Sequence, residues 1–174
     1  MKVLKFGGTS VGSEKNIRQV ISILNDYSEK DNVIAVVSAV GGITNKLLKA
    51  GELAKIQNLE YVSVYEEIHS THIELIKALI PNNNDEIVNN TISNLQSLKQ
   101  LLDGIYLIHE ISPSTTDKLS SYGELLSSQI IAEAMRYQKL DTQVKNSQEL
   151  IVTDDTHTKA EVNYALTNEN IITF

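Results

Sequence analysis

The order of apolar and polar residues predicts a chain that alternates strand and helix at its start. Residues 3–6 form a short apolar strand, and apolar positions at helical spacing predict a helix from Ser13, as its N-cap, to about Tyr27. A continuous β-branched run at 33–37 predicts a second strand, of the kind found in parallel sheets that are covered on both faces. The three elements together predict a right-handed βαβ unit.

The middle of the chain is predicted to be helical. Apolar residues recur at threes and fours over 61–79 and again over 88–105, and Pro81 stops the first of these stretches. This pattern predicts an antiparallel helical hairpin inserted between strands of the sheet.

The last third of the chain starts with another long helix. We expect this helix to begin at a threonine cap at residues 115–116 and to end near Gln138. Short strands are predicted at 142–145 and 150–153, and residues 161–174 show no strong periodicity.

Composition narrows the function classes. With 174 residues, of which 41% are hydrophobic, the chain is long enough for one domain with a substantial core and short enough to be part of something larger. Because it has no cysteine, it offers no disulfide framework and no thiolate metal site. A net charge of −7 with scattered Lys and Arg argues against nucleic-acid binding. No signal-like segment and no apolar run near membrane-spanning length is present, so we expect a cytoplasmic protein without membrane association.

The first strand leads into a glycine-rich turn that suits an anion. Gly7 and Gly8 permit close ligand approach, and the helix that follows supplies unpaired N–H groups. The ammonium of Lys5, near the end of a core strand, requires a negative partner such as phosphate. This order differs from the Walker A loop, in which the lysine follows the last glycine. By itself, Lys-x-Gly-Gly more often marks an ordinary turn whose lysine extends to solvent.

A second turn of small residues follows the second strand. Ser38 and Thr44 flank Gly41 and Gly42 there, although such a turn taken alone also fits any βα loop. Since the carboxyl ends of neighbouring parallel strands meet at one edge of a sheet, we expect the two glycine turns to lie side by side where open α/β proteins bind ligands.

Two features of the predicted helices bear on chemistry. Gly123 costs about 1 kcal/mol relative to alanine in mid-helix, so close packing or close ligand approach explains it. Its neighbour Glu124, considered alone, is more simply a solvated glutamate. His69 and His72 are three residues apart but lack the His-Glu-x-x-His order of a zinc site, and we interpret them as core or surface residues.

Three segments resemble the motifs of aspartokinases, members of the amino-acid kinase family, in the family's order. Lys5-Phe6-Gly7-Gly8-Thr9-Ser10-Val11 resembles the opening motif, Ser-x-x-x-Gly-Ile-Thr-Asn at 38–45 resembles the second, and Ser-x-Gly-Glu at 121–124 resembles the third. The resemblance covers nearly the whole chain. It implies an α/β protein with the three-layer α/β/α amino-acid kinase (carbamate kinase-like) fold, of which this chain is the N-terminal portion with a helical insertion.

The resemblance also implies an activity and a site. Aspartokinases use MgATP to phosphorylate the side-chain carboxylate of L-aspartate, which yields 4-phospho-L-aspartate, the first step of lysine, threonine and methionine biosynthesis. Lys5 would contact the transferring phosphoryl group. The residues implied to line the ATP phosphates are Lys5, Gly7, Gly8, Thr9 and Ser10. The residues implied to hold aspartate are Ser38, Thr44 and Glu124, and no residue of the chain is assigned to a metal.

One family segment is missing. Aspartokinases carry a later Gly-Arg-Gly-Gly-Ser-Asp segment whose arginine binds the substrate carboxylate, and the only arginines here, Arg18 and Arg136, lie outside the three motifs. We therefore expect residues 1–174 to be the N-terminal part of a catalytic domain that is inactive alone and belongs to a homo-oligomeric parent. The sequence also looks like the start of bifunctional aspartokinase–homoserine dehydrogenases. The alternative is a small non-catalytic module that binds phosphate or an amino acid.

Overall fold

The structure, a computed structural model, describes residues 1–173. Its strands and helices, in chain order, are β1 (Lys2–Phe6), α1 (Glu14–Ser28), β2 (Val33–Val37), α2 (Ile43–Lys55), α3 (Glu60–Leu79), α4 (Asp85–Ile108), α5 (Pro113–Tyr137) and α6 (Tyr164–Thr173), with a 3₁₀ turn at Ser147–Glu149.

The two strands form a parallel sheet, which confirms the predicted strand–helix–strand unit. Their register pairs Lys2 with Val33 at one end and Phe6 with Val37 at the other. The helix between them also begins where it is predicted to begin, because the Ser13 hydroxyl accepts a hydrogen bond from the Asn16 N–H at 3.2 Å. The N-terminus of α1 therefore follows directly from the first glycine turn.

The prediction that β2 is covered on both faces is wrong for the described residues. Ile34 and Val36 are 47% and 48% exposed, because the register places them beside Val3 and Lys5 on the face that no helix within 1–173 covers. The other face of the sheet packs against the helical core. Its apolar residues that contact this core are Leu4, Phe6, Val33 and Val37.

The predicted helical hairpin is confirmed. Tyr61 at the start of α3 donates a hydrogen bond to Asp103 near the end of α4 at 2.6 Å, and its ring lies 5.4 Å from that of Tyr106. The start of one helix beside the end of the next requires an antiparallel arrangement. The hairpin packs on α2 and α5, and its fully buried leucines include Leu95, Leu98 and Leu102.

The start of α5 differs from the prediction of a threonine cap. Ser112 is the N-cap, and its hydroxyl accepts a hydrogen bond from the Thr115 N–H at 3.1 Å. Pro113 is the first helical residue, where its fixed φ suits a helix and its missing N–H costs nothing. The proline that interrupts the apolar pattern therefore starts the helix.

The helix predicted to end near Gln138 is confirmed, whereas the two short strands predicted after it are wrong for the described residues. Residues 142–146 are irregular, and of 150–153 only Thr153 forms a β-bridge, with Val162. Strand propensity alone is insufficient when no neighbouring strand is present to complete a ladder. Helix α6 was missed because its apolar residues follow no clear helical period; residue 174 lies outside the described part.

His72 is a core residue, as one of the two interpretations from sequence proposed. It is fully buried in α3, and its Nδ1 lies 2.7 Å from the Ile68 carbonyl oxygen. Because a carbonyl only accepts, Nδ1 carries the hydrogen and Nε2 is an acceptor with no partner among the described residues. Burial lowers the pKa of His72, since a charged imidazolium would lose its hydration there.

This burial predicts acid sensitivity of the helical core. The unfolded chain binds a proton at His72 with a pKa of about 6.5, above the pKa in the folded state, so the free energy of unfolding should fall as the pH drops from about 7 to about 5. Urea unfolding at several pH values should show that His72→Leu flattens this slope. His69→Gln, a change on the same helix at a less buried position, should leave most of the slope, because burial is the largest cause of the lowered pKa of His72 and the charge of His69 is a smaller one. Equal slopes for the parent chain and both variants would contradict the assignment.

Candidate functional site

The two glycine turns touch at the carboxyl edge of the sheet, as predicted. A Cβ atom placed on Gly41 would lie 3.2 Å from the Gly8 carbonyl oxygen and 3.3 Å from the Cα of Gly12. One placed on Gly12 would lie 3.0 Å from the same Gly8 oxygen. Only glycine allows this approach of backbone to backbone, so the turns form a single surface.

Hydrogen bonds from the polypeptide itself fix the first turn. The Gly7 carbonyl oxygen accepts from the N–H groups of Ser10 and Val11 at 2.8 and 3.2 Å. The side-chain amide of Asn16 in α1 donates to the Thr9 carbonyl oxygen at 2.7 Å. The helix and the turn that precedes it are thus tied together.

Lys5 places its ammonium beside this turn. Its Nζ lies 3.4 Å from the position that a Cβ atom on Gly7 would occupy, and the side chain is exposed. Within residues 1–173, no carboxylate forms an ion pair with Lys5. A positive charge with no counter-ion among residues 1–173 therefore lies next to the glycine backbone of the first turn.

The second turn leads directly into helix α2. Gly42 caps this helix with a φ of +81°, a left-handed conformation that favours glycine. Thr44 is the second helical residue and is half-buried. The N–H groups of this first helical turn carry partial positive charge, which suits a carboxylate.

Helix α5 brings the third segment onto the second turn. Gly123 faces Ala39 so closely that an added Cβ atom would lie 2.6 Å from the Ala39 Cβ. The next residue, Glu124, accepts a hydrogen bond from the Ala39 N–H at 3.2 Å and is otherwise exposed. The contact that sequence analysis predicted for Gly123 is thus a packing contact at the site. All three motif segments converge at this edge, since the Gly8 turn also contacts the Ala39 carbonyl oxygen.

Ser127, which was not predicted from the sequence, also contacts the second turn. Its buried hydroxyl donates to the Ser38 carbonyl oxygen at 2.8 Å. The spacing gives a signal in retrospect, because Ser127 lies four residues after Gly123 and thus on the same face of α5.

Both arginines have partners away from the site. Arg18 contacts Glu14 at 2.7 Å and donates to the Ala78 carbonyl oxygen at 2.6 Å. The Arg136 guanidinium likewise forms an ion pair with Glu133, at 2.7 Å. Neither guanidinium reaches the three segments, in agreement with the sequence analysis.

The close approach at Gly123 predicts opposite effects for two glycine substitutions. Gly123→Ala forces a methyl group against Ala39 and should destabilise the fold by about 1–3 kcal/mol, beyond the gain in helix propensity. Gly104→Ala in α4 meets nothing within 4 Å and should stabilise by about 0.5–1 kcal/mol. Chemical denaturation of both variants decides the matter, and two shifts of the same sign would contradict the packing described here.

Two absences are limited to the described chain. Residues 1–173 contain no group of three or more metal-ligating His, Asp, Glu or Cys side chains. None of the helices in this range is both long and apolar enough to span a membrane.

Comparison with known proteins agrees with this arrangement. A sequence model of the amino acid kinase family matches residues 1–173. The chain belongs to this family. Among curated relatives, it is 40% identical to aspartokinase 1, chloroplastic, of Arabidopsis thaliana over 133 residues, which are 75% of this chain and 22% of that protein. It is 28% identical over 156 residues to bifunctional aspartokinase/homoserine dehydrogenase 2, chloroplastic, of the same plant, covering 88% of this chain and 17% of the relative.

A solved structure of a kinase confirms the predicted fold. E. coli aspartokinase III in complex with aspartate and ADP superimposes with a TM-score of 0.85 at 28% identity. The match covers 98% of this chain and 36% of that one. The predicted amino-acid kinase fold and the resemblance to aspartokinases are thus confirmed, and the chain spans well under half the length of these proteins.

Proposed function

We propose that residues 1–174 are the N-terminal part of an aspartokinase catalytic domain. The full polypeptide that carries this chain contains the whole of that domain, which is called the complete catalytic domain below. It transfers the terminal phosphoryl group of ATP to the side-chain carboxylate of L-aspartate. The observation that supports this proposal best is the convergence of the three motif segments at one edge of the sheet, through the contacts of Gly8, Gly41 and Ala39.

The first turn would hold the phosphate groups of ATP. Phosphoryl transfer depends mainly on positioning and on neutralising charge, so a lysine that has no counter-ion among residues 1–173 and lies beside glycine amides is suited to it. Lys5 would meet the transferring group. The residues that would line the phosphates are Gly7, Gly8, Thr9 and Ser10. The E. coli relative was solved with ADP, which supports use of a nucleotide.

The second turn and α5 would hold aspartate. The Glu124 carboxylate accepts only, which suits the α-ammonium of an amino acid, and one of its oxygens is already oriented by Ala39. Ser38 and Thr44, beside the N-terminus of α2, would bind a carboxylate of the substrate. Mg²⁺ would enter bound to the phosphates of ATP, as part of the substrate.

The remaining parts of the proposal lie outside the chain. Because Arg18 and Arg136 are held elsewhere, the arginine clamp would come from another part of the complete domain, and residues 1–174 alone should show no turnover. Cytoplasmic location and homo-oligomeric assembly stay predictions.

A titration of the ¹⁵N-labelled chain tests the proposed binding surface. MgADP should shift the amide signals of 7–10, whereas aspartate should shift those of Ala39 and Thr44. N-acetyl-aspartate, which lacks the ammonium, should bind more weakly than aspartate because it cannot pair with Glu124. No change at these amides at millimolar ligand, or changes confined to α3 and α4, would refute the assignment of the binding surface. Aspartate-dependent ATP turnover by the isolated chain at an ordinary enzymatic rate would instead refute the prediction that residues 1–174 alone are inactive.

A further inference from the structure

We propose that Ser127 is a positioning residue for the aspartate site, because α5 holds both polar atoms of a single peptide group in the second turn. The Ser38 carbonyl and the Ala39 N–H belong to the same peptide unit. Ser127 Oγ donates to that carbonyl at 2.8 Å, the shorter of its two contacts, since the backbone carbonyl oxygen of Glu124 lies 3.2 Å away in the same helix. Glu124 Oε1 accepts from that N–H at 3.2 Å. Two side chains from one helix thus fix the orientation of this peptide.

The contact between α5 and this peptide is buried. Ala39 and Ser127 are 2% and 1% exposed, so the peptide lies where water does not compete for its polar atoms. Gly123 permits the approach, because a Cβ atom there would collide with the side chain of Ala39. Glu124, which lies between Gly123 and Ser127 in the sequence, is exposed and extends from the contact toward solvent.

Without the contact from α5, the orientation of the peptide between Ser38 and Ala39 would be less restricted. Gly41 and Gly42 follow the peptide within three residues, and glycine permits backbone angles that other residues avoid. The neighbouring peptide on the strand side is already fixed, since the Ser38 N–H donates to the Phe6 carbonyl oxygen at 3.0 Å. The peptide between Ser38 and Ala39 is therefore the first one beyond the sheet, and α5 rather than β1 determines its orientation.

This arrangement couples Ser127 to the substrate through Glu124. One carboxylate oxygen of Glu124 is bound by the Ala39 N–H, so rotation of the peptide would release the carboxylate that we assign to the α-ammonium of aspartate. The effect on substrate rests on the proposed function. The effect on the peptide does not, and the two are measured separately.

Hydrogen exchange in the chain itself tests the contact with the peptide. In Ser127→Ala, exchange of the Ala39 amide should accelerate about tenfold, the fold-change expected for loss of one buried hydrogen bond. The Ser38 amide, which is bonded to β1, should keep its rate. The matched control is Ser128→Ala, because the Ser128 hydroxyl donates only within its own helix, to Leu125 at 3.1 Å. Equal acceleration of both amides, or no acceleration at Ala39, would overturn the proposal.

Steady-state kinetics of the complete catalytic domain test the link to substrate. Ser127→Ala should raise the KM for aspartate about tenfold and leave the KM for ATP unchanged, whereas Ser128→Ala should change neither. A merely structural loss would reduce active enzyme and leave both KM values as they were, which would overturn the positioning role. If the unsubstituted domain phosphorylates no aspartate, the proposed function fails, while the exchange result still decides whether Ser127 and Glu124 hold the peptide.

Discussion

Lys5→Ala is expected to lower the kcat of the complete catalytic domain by about a hundred- to a thousandfold, the usual loss when one preorganised electrostatic group is removed. The KM for aspartate should change far less. The ammonium lies beside the glycine turn and has no carboxylate partner within residues 1–173, so its charge is available to the group being transferred. A group that meets charge developing in the transition state affects kcat more than binding.

Lys2→Ala is the matched control for this prediction. Lys2 lies on the same strand, and its ammonium is 4.6 Å from the centre of the Tyr27 ring, away from the glycine turn. Its removal should leave kcat within about twofold, since a solvent-exposed contact of this kind contributes little. A Lys5→Ala variant with the parent's kcat would show that this lysine merely extends to solvent.

Glu124→Gln is expected to weaken aspartate binding by about ten- to a hundredfold, the loss associated with a charge-assisted hydrogen bond of roughly 1.5–3 kcal/mol. The amide oxygen of glutamine can still accept from the Ala39 N–H, so the contact between α5 and the second turn is retained. The fold and ATP binding should therefore change little. Isothermal titration with aspartate and with nucleotide, beside thermal unfolding, separates these effects.

Glu133→Gln provides the control on the same helix. Glu133 pairs with Arg136 at the far end of α5, and loss of this surface ion pair should not affect either ligand. If Glu124→Gln weakened aspartate and nucleotide equally and lowered the melting temperature, the residue would be a packing element rather than part of the substrate site.

The features that sequence predicted correctly depend on local pattern and on general rules of sheets. The strand at Val33–Val37 follows from a β-branched run, and the start of α1 follows from Ser13. The meeting of the two glycine turns required one further rule, that the ends of parallel strands share an edge. No distance had to be known for that prediction.

The features that sequence did not predict depend on partners far along the chain. Helical spacing places Glu124 and Ser127 on α5 but does not show which groups they bond, since 85 or more residues separate them from Ala39 and Ser38. The exposure of Ile34 was missed for a related reason. An apolar run indicates that a strand can be covered on both faces, but which surfaces cover it depends on the rest of the structure.

The most direct test is the product formed by the complete catalytic domain from MgATP and L-aspartate. We predict ADP and an acyl phosphate in equal amounts, the latter trapped by hydroxylamine, over many turnovers and only when aspartate is present. The Lys5→Ala variant should form both products at the reduced rate given above. Binding of aspartate and nucleotide without acyl phosphate would contradict the proposed function and would identify the chain as part of a binding module that does not catalyse the transfer.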